Sequence, residues 1–429
     1  MSDLLATLST FAGKNLYLYF RPEILDFTHP HNAEMVFCQS GQKDVKIPIP
    51  TNGRELVYFA SQVKSALNDD GLAMMVWNLK PFASYIRKFT GIVFNVDRAV
   101  YDLKLLAGFA SIPGFPENYD EAEAMLQRIS ETDTFSQNMK WYEEVYYPLA
   151  VDVIPAVETV GLVDGRINKV AHPFYELEGQ SNGRLKCNKA LRHCFNPHSI
   201  GAEDRANLRP AGHDLRFISL DYRALEVCVL QWLTNDPLLT QMVDSGVDLY
   251  SAIWEQVTGI ACTPDFREIC KESFLPVVFG MGAPKLAERL EVDMEIAKNI
   301  RDGIYSNFAV AMKWIQEQAW GAEVNGYALD YCGRKRIFTS EYYLARNFVI
   351  QSPASTYCLY KLIQLHRKLV GKVKVVFHTH DAYCLLAGER DALQVAEQAK
   401  QVLEVPSDFF PGLAMTCKVK LGESLSKLK

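Results

Sequence analysis

The sequence lacks closely paired cysteines, long apolar runs and internal repeats, the features from which the structural class of many proteins can be recognised directly. Its ten cysteines include no C-x-x-C pair. This excludes the common zinc spacing and predicts free thiols, as in a reducing cytoplasm. No apolar run is long enough to span a bilayer, and the first residues lack the basic-then-apolar order of a signal peptide. We therefore expect a cytoplasmic protein without a membrane partner.

A basic excess is also missing, since the formal net charge is −6. The charge is uneven along the 429 residues, a length that allows more than one domain. Residues 1–180 hold 15 Lys and Arg against 23 Asp and Glu, whereas residues 181–429 hold 30 against 28. This distribution excludes a surface coated with basic groups and favours focused phosphate contacts in a cleft.

The most informative stretch that the sequence does contain is 216–230, RFISLDYRALEVCVL. Its first half has the composition of a buried strand, and the apolar positions after Tyr222 recur at helical spacing. Asp221 therefore lies where a strand passes into a helix, and Glu226 follows just over one helical turn later. A strand end holds a metal-binding Asp rigidly, although an Asp at this position can equally cap the helix.

Periodicity elsewhere predicts an α/β arrangement up to residue 115 and an acidic helical segment at 120–160. A hairpin is expected at 327–338 and a break between helices at 280–284. The main helices are expected at 61–67, 81–89, 141–165, 267–279, 293–318 and 341–369. The main strands are expected at 15–20, 45–50, 73–77 and 216–220, with two further strands within 372–386 on either side of His380-Asp381.

Within 267–279, four residues recur at every fourth position: Arg267, Lys271, Leu275 and Phe279. On a helix they form one stripe. The two cations can clamp a phosphate chain, and the two apolar side chains can lie against a flat base. The alternative is an ordinary amphipathic helix whose Lys and Arg extend their charges into solvent.

His380 and Asp381 lie between two strand-like runs, so Asp381 falls at a hairpin turn. Asp is common in turns for purely local reasons. With His378, the pair is similar to part of a metallohydrolase H-x-H-x-D run, but its spacing differs and no later His-Asp set completes it.

Taken together, these segments resemble the three polymerase motifs of family A DNA polymerases, the class of the Klenow-type enzymes and the T-odd phage replicases. The matching residues, in chain order, are Asp221-Tyr222 with Glu226, Arg267-x-x-x-Lys271 with Phe279-Gly280, and His380-Asp381. The resemblance covers most of residues 141–429. It implies an α+β, right-hand polymerase fold with an antiparallel palm sheet, helical fingers and a much reduced thumb. A small α/β exonuclease-like (RNase H-like) domain would precede it.

Three regions follow from this resemblance. Residues 1–115 would form a degenerate 3′–5′ exonuclease-like α/β domain, and residues 116–180 a helical linker with a vestigial thumb. Residues 181–429 would form the palm and fingers, with the fingers at about 235–335.

The implied activity is template-directed addition of dNTPs to a primer 3′-hydroxyl by a mechanism that uses two Mg²⁺ ions. The resemblance implies that Asp221 and Asp381 hold the metal ions together with the backbone carbonyl of Tyr222. It implies that Arg267 and Lys271 hold the triphosphate and balance the charge of the leaving pyrophosphate.

The remaining contacts implied by the resemblance are to the incoming nucleotide and the duplex. Leu275 and Phe279 would lie beside the nascent base pair, and Glu226 would crowd the sugar 2′ position and reject ribonucleotides. The primer–template DNA would be contacted by Arg184, Asn347, Gln351 and His380. Base pairing would select the nucleotide, while these contacts would only position the duplex.

Four departures from the family pattern predict a slower or less faithful enzyme. Ala382 stands where most relatives carry Glu, which removes a carboxylate beside the metals. Leu275 replaces an aromatic residue and Phe279 replaces Tyr. Pro276 lies inside the expected helix and leaves the carbonyl of Glu272 without its amide donor, so that a kink is expected.

Two regions depart more strongly. About fifteen residues between Gly165 and Ser181 replace the family's long helical thumb, which predicts low processivity unless a processivity or replisome partner compensates. In the N-terminal region, Phe82 stands in the Asp position of a segment similar to the family's second exonuclease motif. We expect Asp97 and Asp102 to be surface residues and the chain to lack proofreading.

Two alternatives remain open. A single-subunit RNA polymerase or primase shares the palm, and such enzymes tolerate a small residue at Ala382, whereas Glu226 argues for deoxyribonucleotides. The second alternative is an inactive polymerase fold that serves as a binding subunit of a replication complex. The presence of all four charged residues of the motifs argues against it: Asp221, Asp381, Arg267 and Lys271. By analogy, a compact family A enzyme without proofreading would suit a phage or plasmid replicon, and hence a host cytoplasm.

Overall fold

The structure is a computed structural model that describes residues 15–21, 33–67, 73–94, 100–165, 169–178, 180–187, 194–212 and 214–428. All ten cysteines lie in these ranges and all are free thiols, as predicted. Across the same ranges, every helix is too short or too polar to cross a bilayer.

The N-terminal region is built on a five-stranded mixed sheet. Its strands are β1 (Asn15–Arg21), β2 (Ala33–Cys38), β3 (Val45–Ile49), β4 (Ala73–Val76) and β5 (Tyr101–Asp102), in the order β3-β2-β1-β4-β5. β1 is antiparallel to β2 and parallel to β4. Its five inner residues are all buried, because a central strand covered on both faces needs apolar side chains on both faces. The predicted strands at 15–20, 45–50 and 73–77 are therefore confirmed.

Three helices accompany this sheet: α1 (Gly53–Leu67), α2 (Leu79–Thr90) and α3 (Leu103–Ala110). Phe82 of α2 is fully buried and stacks against Phe20, with 4.5 Å between ring centroids, and against Phe94 at 5.4 Å. The residue in the Asp position of the exonuclease-like segment is thus part of an aromatic core.

The helical connection after residue 118 is less regular than its periodicity predicts. It comprises α4 (Tyr119–Ser130), α5 (Phe135–Trp141), two π-helical turns at Tyr142–Tyr146 and Leu149–Val153, and α6 (Ile154–Thr159). The expected single helix at 141–165 is wrong in two respects. Pro148 lies between the π-turns and has no amide to continue the α-helical ladder, and the chain leaves the helix at Val160.

Short strands fill the region between the linker and the central sheet: β6 (Leu162–Asp164), β7 (Lys169–Ala171), β8 (Tyr175–Glu176), β9 (Lys186–Cys187) and β10 (Leu208–Arg209). The only helix of more than one turn described between 162 and 212 is α7 (Ala202–Asn207). Where the family resemblance calls for a thumb, the described residues therefore form short strands and loops.

The central sheet, here called the palm sheet, is antiparallel with strand order β14-β15-β11-β16. Its strands are β11 (Leu215–Tyr222), β14 (Lys374–Thr379), β15 (Ala382–Gly388) and β16 (Cys417–Gly422). In β11, Ile218, Leu220 and Tyr222 join the main core, whereas Phe217 belongs to a smaller cluster on the opposite face. Asp221 lies on that opposite face because side chains alternate along a strand.

The helix after β11 begins later than its periodicity predicts. α8 spans Leu225–Thr234, and its N-cap residue is Ala224, which has a φ of 49° and makes no side-chain cap hydrogen bond. The interpretation of Asp221 as a helix cap is therefore wrong, because Asp221 is still part of the strand and pairs with Ala382 and Lys418.

Six helices follow: α9 (Pro237–Asp244), α10 (Leu249–Thr258), α11 (Pro264–Val278), α12 (Ala283–Leu290), α13 (Met294–Asn307) and α14 (Ala309–Asn325). The predicted helix at 293–318 is interrupted at Phe308, whose buried ring packs edge-on against Phe274. The predicted hairpin is formed by β12 (Tyr327–Leu329) and β13 (Lys335–Ile337). α15 (Ala345–Lys368) and α16 (Ala392–Glu404) complete the core behind the palm sheet.

Candidate active site

The two predicted metal-binding carboxylates lie together at one end of the palm sheet. Asp221, near the end of β11, pairs directly with Ala382, the residue after Asp381. The backbone amide of Tyr222 donates to the carbonyl of Asp381 over 3.2 Å. Both carboxylates line one cavity of about 340 Å³. Antiparallel pairing thus joins two acids that are far apart in the sequence.

The charges of these two groups affect each other. Burial and the nearby charge of Asp221 raise the pKa of Asp381 to about 6. Burial also raises the pKa of Asp221, against the opposing charges of Lys418, Lys420 and Lys271. Two close carboxylates are costly to ionise together, and hard oxygen ligands of this kind suit Mg²⁺. The donor set therefore fits a divalent cation, although the part played by the Tyr222 carbonyl stays a prediction.

Helix α11 carries the predicted phosphate-binding cations. The charge of Lys271 acts on Asp221, more weakly than the charges of Lys418 and Lys420 do. Arg267 is engaged elsewhere: its Nε and Nη2 donate to the two carboxylate oxygens of Asp248, each over 2.9 Å. Glu268 contacts both cations, at 3.0 Å from Arg267 and 3.2 Å from Lys271. α11 thus presents cations toward the site, but one of them is held by a neighbouring carboxylate.

The apolar residues of the same stripe are half-buried at the end of α11. Leu275 and Phe279 both pack against the main core. The helix continues through Pro276, and the amide of Phe279 donates to the carbonyl of Leu275 over 2.8 Å. The proline lies in the last turn, where its missing amide affects the bond to Glu272 alone.

Glu226 is held in a polar network by two predicted DNA-binding residues. Its carboxylate accepts from Arg184 and from Gln351 Nε2, the latter over 3.1 and 3.3 Å. Asn182 in turn donates to Gln351 Oε1 over 3.1 Å. The predicted sugar-contacting and duplex-contacting residues therefore form one hydrogen-bonded group. Asn347 lies four residues before Gln351, on the same face of α15.

His380 is positioned by a strained turn. Its φ is 41°, in the left-handed region, and its ring stacks on His198 with 4.3 Å between centroids. Burial and the charge of Arg184 lower the pKa of His380 to about 4. Any contact of this imidazole with DNA would therefore be made by a neutral ring.

Residues that the sequence did not indicate also line the site. His198, Arg205, Lys418 and Lys420 share the cavity with the two carboxylates, and Asp248 holds Arg267. The only sequence signal was the alternation Lys418-x-Lys420, which places both side chains on one face of a strand. The local sequence pattern does not show which strand pairs with the strand that carries Lys418 and Lys420.

The N-terminal acids need one correction. Asp102 is buried, not on the surface, and its two carboxylate oxygens accept backbone amides from Asn78 and Leu79 at 3.1 and 2.8 Å. It caps α3 by accepting the amide of Lys104. Asp97 lies outside the described residues.

Sequence and structure comparisons agree with this geometry. The profile of DNA polymerase family A matches residues 112–427. The DNA polymerase I of Chloroflexus aurantiacus is 23% identical over 309 residues, which is 64% of this chain and 32% of that protein. The DNA polymerase of Mycobacterium phage D29 is 31% identical over 173 residues, 40% of this chain and 28% of that protein. The chain thus matches about a third or less of the length of each of these two relatives.

Among solved structures, the POL domain of Pol1 from M. smegmatis, in complex with DNA primer-template and dNTP, has a TM-score of 0.78 at 15% identity. The match covers 99% of this chain and 98% of that one. The fold is that of a right-hand polymerase, which confirms the α+β prediction. Within this class, the chain belongs to DNA polymerase family A.

Proposed function

We propose that the chain is a DNA-directed DNA polymerase that adds dNTPs to a primer 3′-hydroxyl. One observation carries the proposal: Asp221 and Asp381 meet at the end of the palm sheet, where the charge of Lys271 on α11 also acts on Asp221. Two acids opposite a cationic helix suit the transfer of a nucleotidyl group better than hydrolysis by a single activated water.

In the proposed reaction the primer 3′-hydroxyl attacks the α-phosphate, a new phosphodiester forms and pyrophosphate leaves. Asp221 and Asp381 would hold the Mg²⁺ ions, which when bound supply Lewis-acid stabilisation of the attacking and leaving oxygens. Lys271 balances the charge of the leaving group, and Arg267 joins it after exchanging Asp248 for the triphosphate. Phe279 lies beside the nascent pair.

The substrates and partners we propose are dNTPs and primer–template DNA. Glu226 excludes a 2′-hydroxyl, which favours DNA over RNA synthesis. Arg184 and Gln351 exchange their bonds with Glu226 for contacts to the duplex, while Asn347 and the neutral His380 add further contacts. A processivity or replisome protein would complete the assembly, in a cytoplasm.

We also propose the predicted division into a degenerate exonuclease-like domain (1–115), a linker with vestigial thumb (116–180) and the palm and fingers (181–429). Proofreading is absent in this proposal, because Phe82 is a core aromatic residue and Asp102 already binds backbone amides. Incubation with a mispaired 3′ end should leave the primer intact. Metal-dependent trimming would contradict this.

The decisive experiment is primer extension on a defined template with dNTPs or rNTPs. Asp381→Ala should lower the extension rate by about 10²–10³, since a preorganised catalytic group is worth about that much. Asp408→Ala, at an exposed position, is the matched control and should leave the rate unchanged. A wild-type chain that binds primer–template but never extends it would support the alternative of an inactive binding subunit.

A further inference from the structure

The cavity beside the two carboxylates contains more basic than acidic side chains, although a metal site needs no basic side chains. It is lined by Asp221 and Asp381, and by the cations Arg205, Lys418 and Lys420. The register of β11 with β16 places Lys418 directly opposite Asp221 and Lys420 directly opposite Ser219. Directly opposite residues in an antiparallel pair have Cβ atoms only about 5 Å apart. Both lysines therefore lie on the carboxylate side of the sheet.

Among the described residues, both lysines act on the charge of Asp221, but neither is held by a direct contact to a carboxylate. Lys418 is exposed and Lys420 is half-buried, and neither takes part in any ion pair recorded for the residues that the structure describes. A flexible Lys binds an anion as a point charge. These two cations are thus available to an external anion.

The spacing of the two lysines suits a polyanion that runs along the strand. Residues two apart on a strand are separated by about 7 Å, which is comparable with the separation of adjacent phosphates along one DNA strand. Lys418 lies next to the carboxylates, and Lys420 lies one step farther from them. A single small anion would need only one of these positions.

The residues that line the cavity favour the primer strand over the incoming nucleotide as the molecule bound there. Its lining comes from the palm sheet, the turn at Pro197–Ser199, α7 and the end of the chain. None of the described lining residues belongs to α11, which carries the proposed triphosphate cations. The cavity therefore adjoins the carboxylates but not the helix that is proposed to bind the triphosphate, and the proposed function places the primer 3′ end at the same carboxylates.

We propose that Lys418 and Lys420 form a phosphate-binding subsite for the last internucleotide linkages of the primer strand. This inference rests on the proposed function, because that function places the primer 3′-hydroxyl at the carboxylates. The two lysines are positioning residues: they hold the primer backbone so that its 3′ end stays beside Asp221.

The test measures binding of the full chain to fluorescent primer–template at a series of salt concentrations, without dNTP and in EDTA. Lys418→Gln/Lys420→Gln should weaken binding roughly tenfold and reduce the slope of log K against log salt by about two, since each phosphate contact contributes about 0.9 to that slope. The control Lys298→Gln/Lys313→Gln removes two exposed lysines from the fingers and should change neither quantity. Lys418→Arg/Lys420→Arg should retain binding, and thermal unfolding checks that the glutamine variant is folded.

A neutral methylphosphonate at one of the last primer linkages identifies the strand. It should weaken binding of the wild type but not of Lys418→Gln/Lys420→Gln, whereas the same change in the template strand should weaken both equally. An unchanged salt slope, or equal loss for both proteins from the primer modification, overturns the subsite. The subsite is also overturned if the lysine substitutions change only the pH or metal dependence of extension. That result would mean that the two lysines only offset the negative charge of Asp221. If the wild type extends primers and these results still fail, the subsite alone is wrong.

Discussion

At the scale of single residues, Asp381 combines a functional position with an unfavourable electrostatic environment. Burial and Asp221 raise its pKa from 3.8 to about 6. The folded chain therefore binds a proton at Asp381 more readily than the unfolded chain does. Above pH 6 the ionised carboxylate costs the folded state free energy, and below pH 4 this cost is absent.

Asp381→Asn should therefore stabilise the metal-free protein near neutral pH. At about 1.4 kcal/mol for each pKa unit, the gain at pH 7.5 is at most about 3 kcal/mol. It should shrink as the pH falls toward 5. Denaturant unfolding in EDTA at several pH values measures it, with Asp408→Asn as the control. A gain that does not vary with pH, or a less stable variant, would be evidence against this electrostatic cost.

Glu226 provides a second prediction at this scale. Arg184 and Gln351 hold its carboxylate in the structure without DNA, and the proposed function assigns this carboxylate the exclusion of a 2′-hydroxyl once those two residues have turned to the duplex. Glu226→Ala should reduce the preference for dNTP over rNTP by roughly 10- to 100-fold, the range expected for a local steric contact. The ratio of kcat/KM values measures this, with the exposed Glu317→Ala as control. An unchanged ratio would remove Glu226 from nucleotide selection.

The family resemblance was enough to predict that Asp221 and Asp381 lie together, while the roles of these residues and of Lys271 stay predictions. Lys420 could not be predicted in the same way, since its proximity to Asp221 depends on a strand pairing across two hundred residues of chain. Asp102 was wrongly placed on the surface because an isolated Asp gives no sign of the backbone amides that fold around it.

At the scale of elements, the proposed function requires a contact of α11 to change when a nucleotide binds. The bidentate pair between Arg267 and Asp248 is about one-third to one-half exposed. Such pairs are worth about 0.2–1 kcal/mol. In the proposed function the triphosphate displaces Asp248 from Arg267, which would make this carboxylate a weak competitor.

Asp248→Asn should lower the KM for dNTP by up to about fivefold, which corresponds to that energy, with little effect on kcat. Asn retains the cap that Asp248 gives to the amide of Ser251, so α10 should stay folded. Asp265→Asn, on the first turn of α11, is the control. A KM that stays constant or rises would mean that Asp248 does not compete with the triphosphate.

Element boundaries followed the sequence where one periodicity held throughout, as in β1 and α15. They failed where backbone chemistry intervened. Pro148 produced π-turns in a segment of regular helical spacing, and the pairing of Asp221 with Ala382 extended β11 past the expected helix start. Neither effect is visible in apolar spacing alone.

At the scale of the whole molecule, the N-terminal region is joined to the rest of the chain by specific polar contacts. Lys80 forms a buried ion pair with Glu158 of α6. Arg87 pairs with Asp152 at 2.8 Å, and Asp152 also lies 3.4 Å from His366 of α15. These contacts join the N-terminal region to the helical connection at 149–159 and, through Asp152, to α15.

A second feature of the whole molecule is the reduced thumb, which bears on how long the protein would stay bound to DNA. The family resemblance implies a long helical thumb that would grip the duplex, whereas the described residues between Leu162 and Cys187 form short strands. Retention then depends on the palm contacts and on phosphate charges, which salt screens. In single-encounter primer extension with excess trap DNA, we expect products extended by only a few nucleotides, shortening further as salt rises. Addition of a replisome partner should lengthen them. Long products from the chain alone, at moderate salt with trap present, would show that the short strands replace the thumb fully.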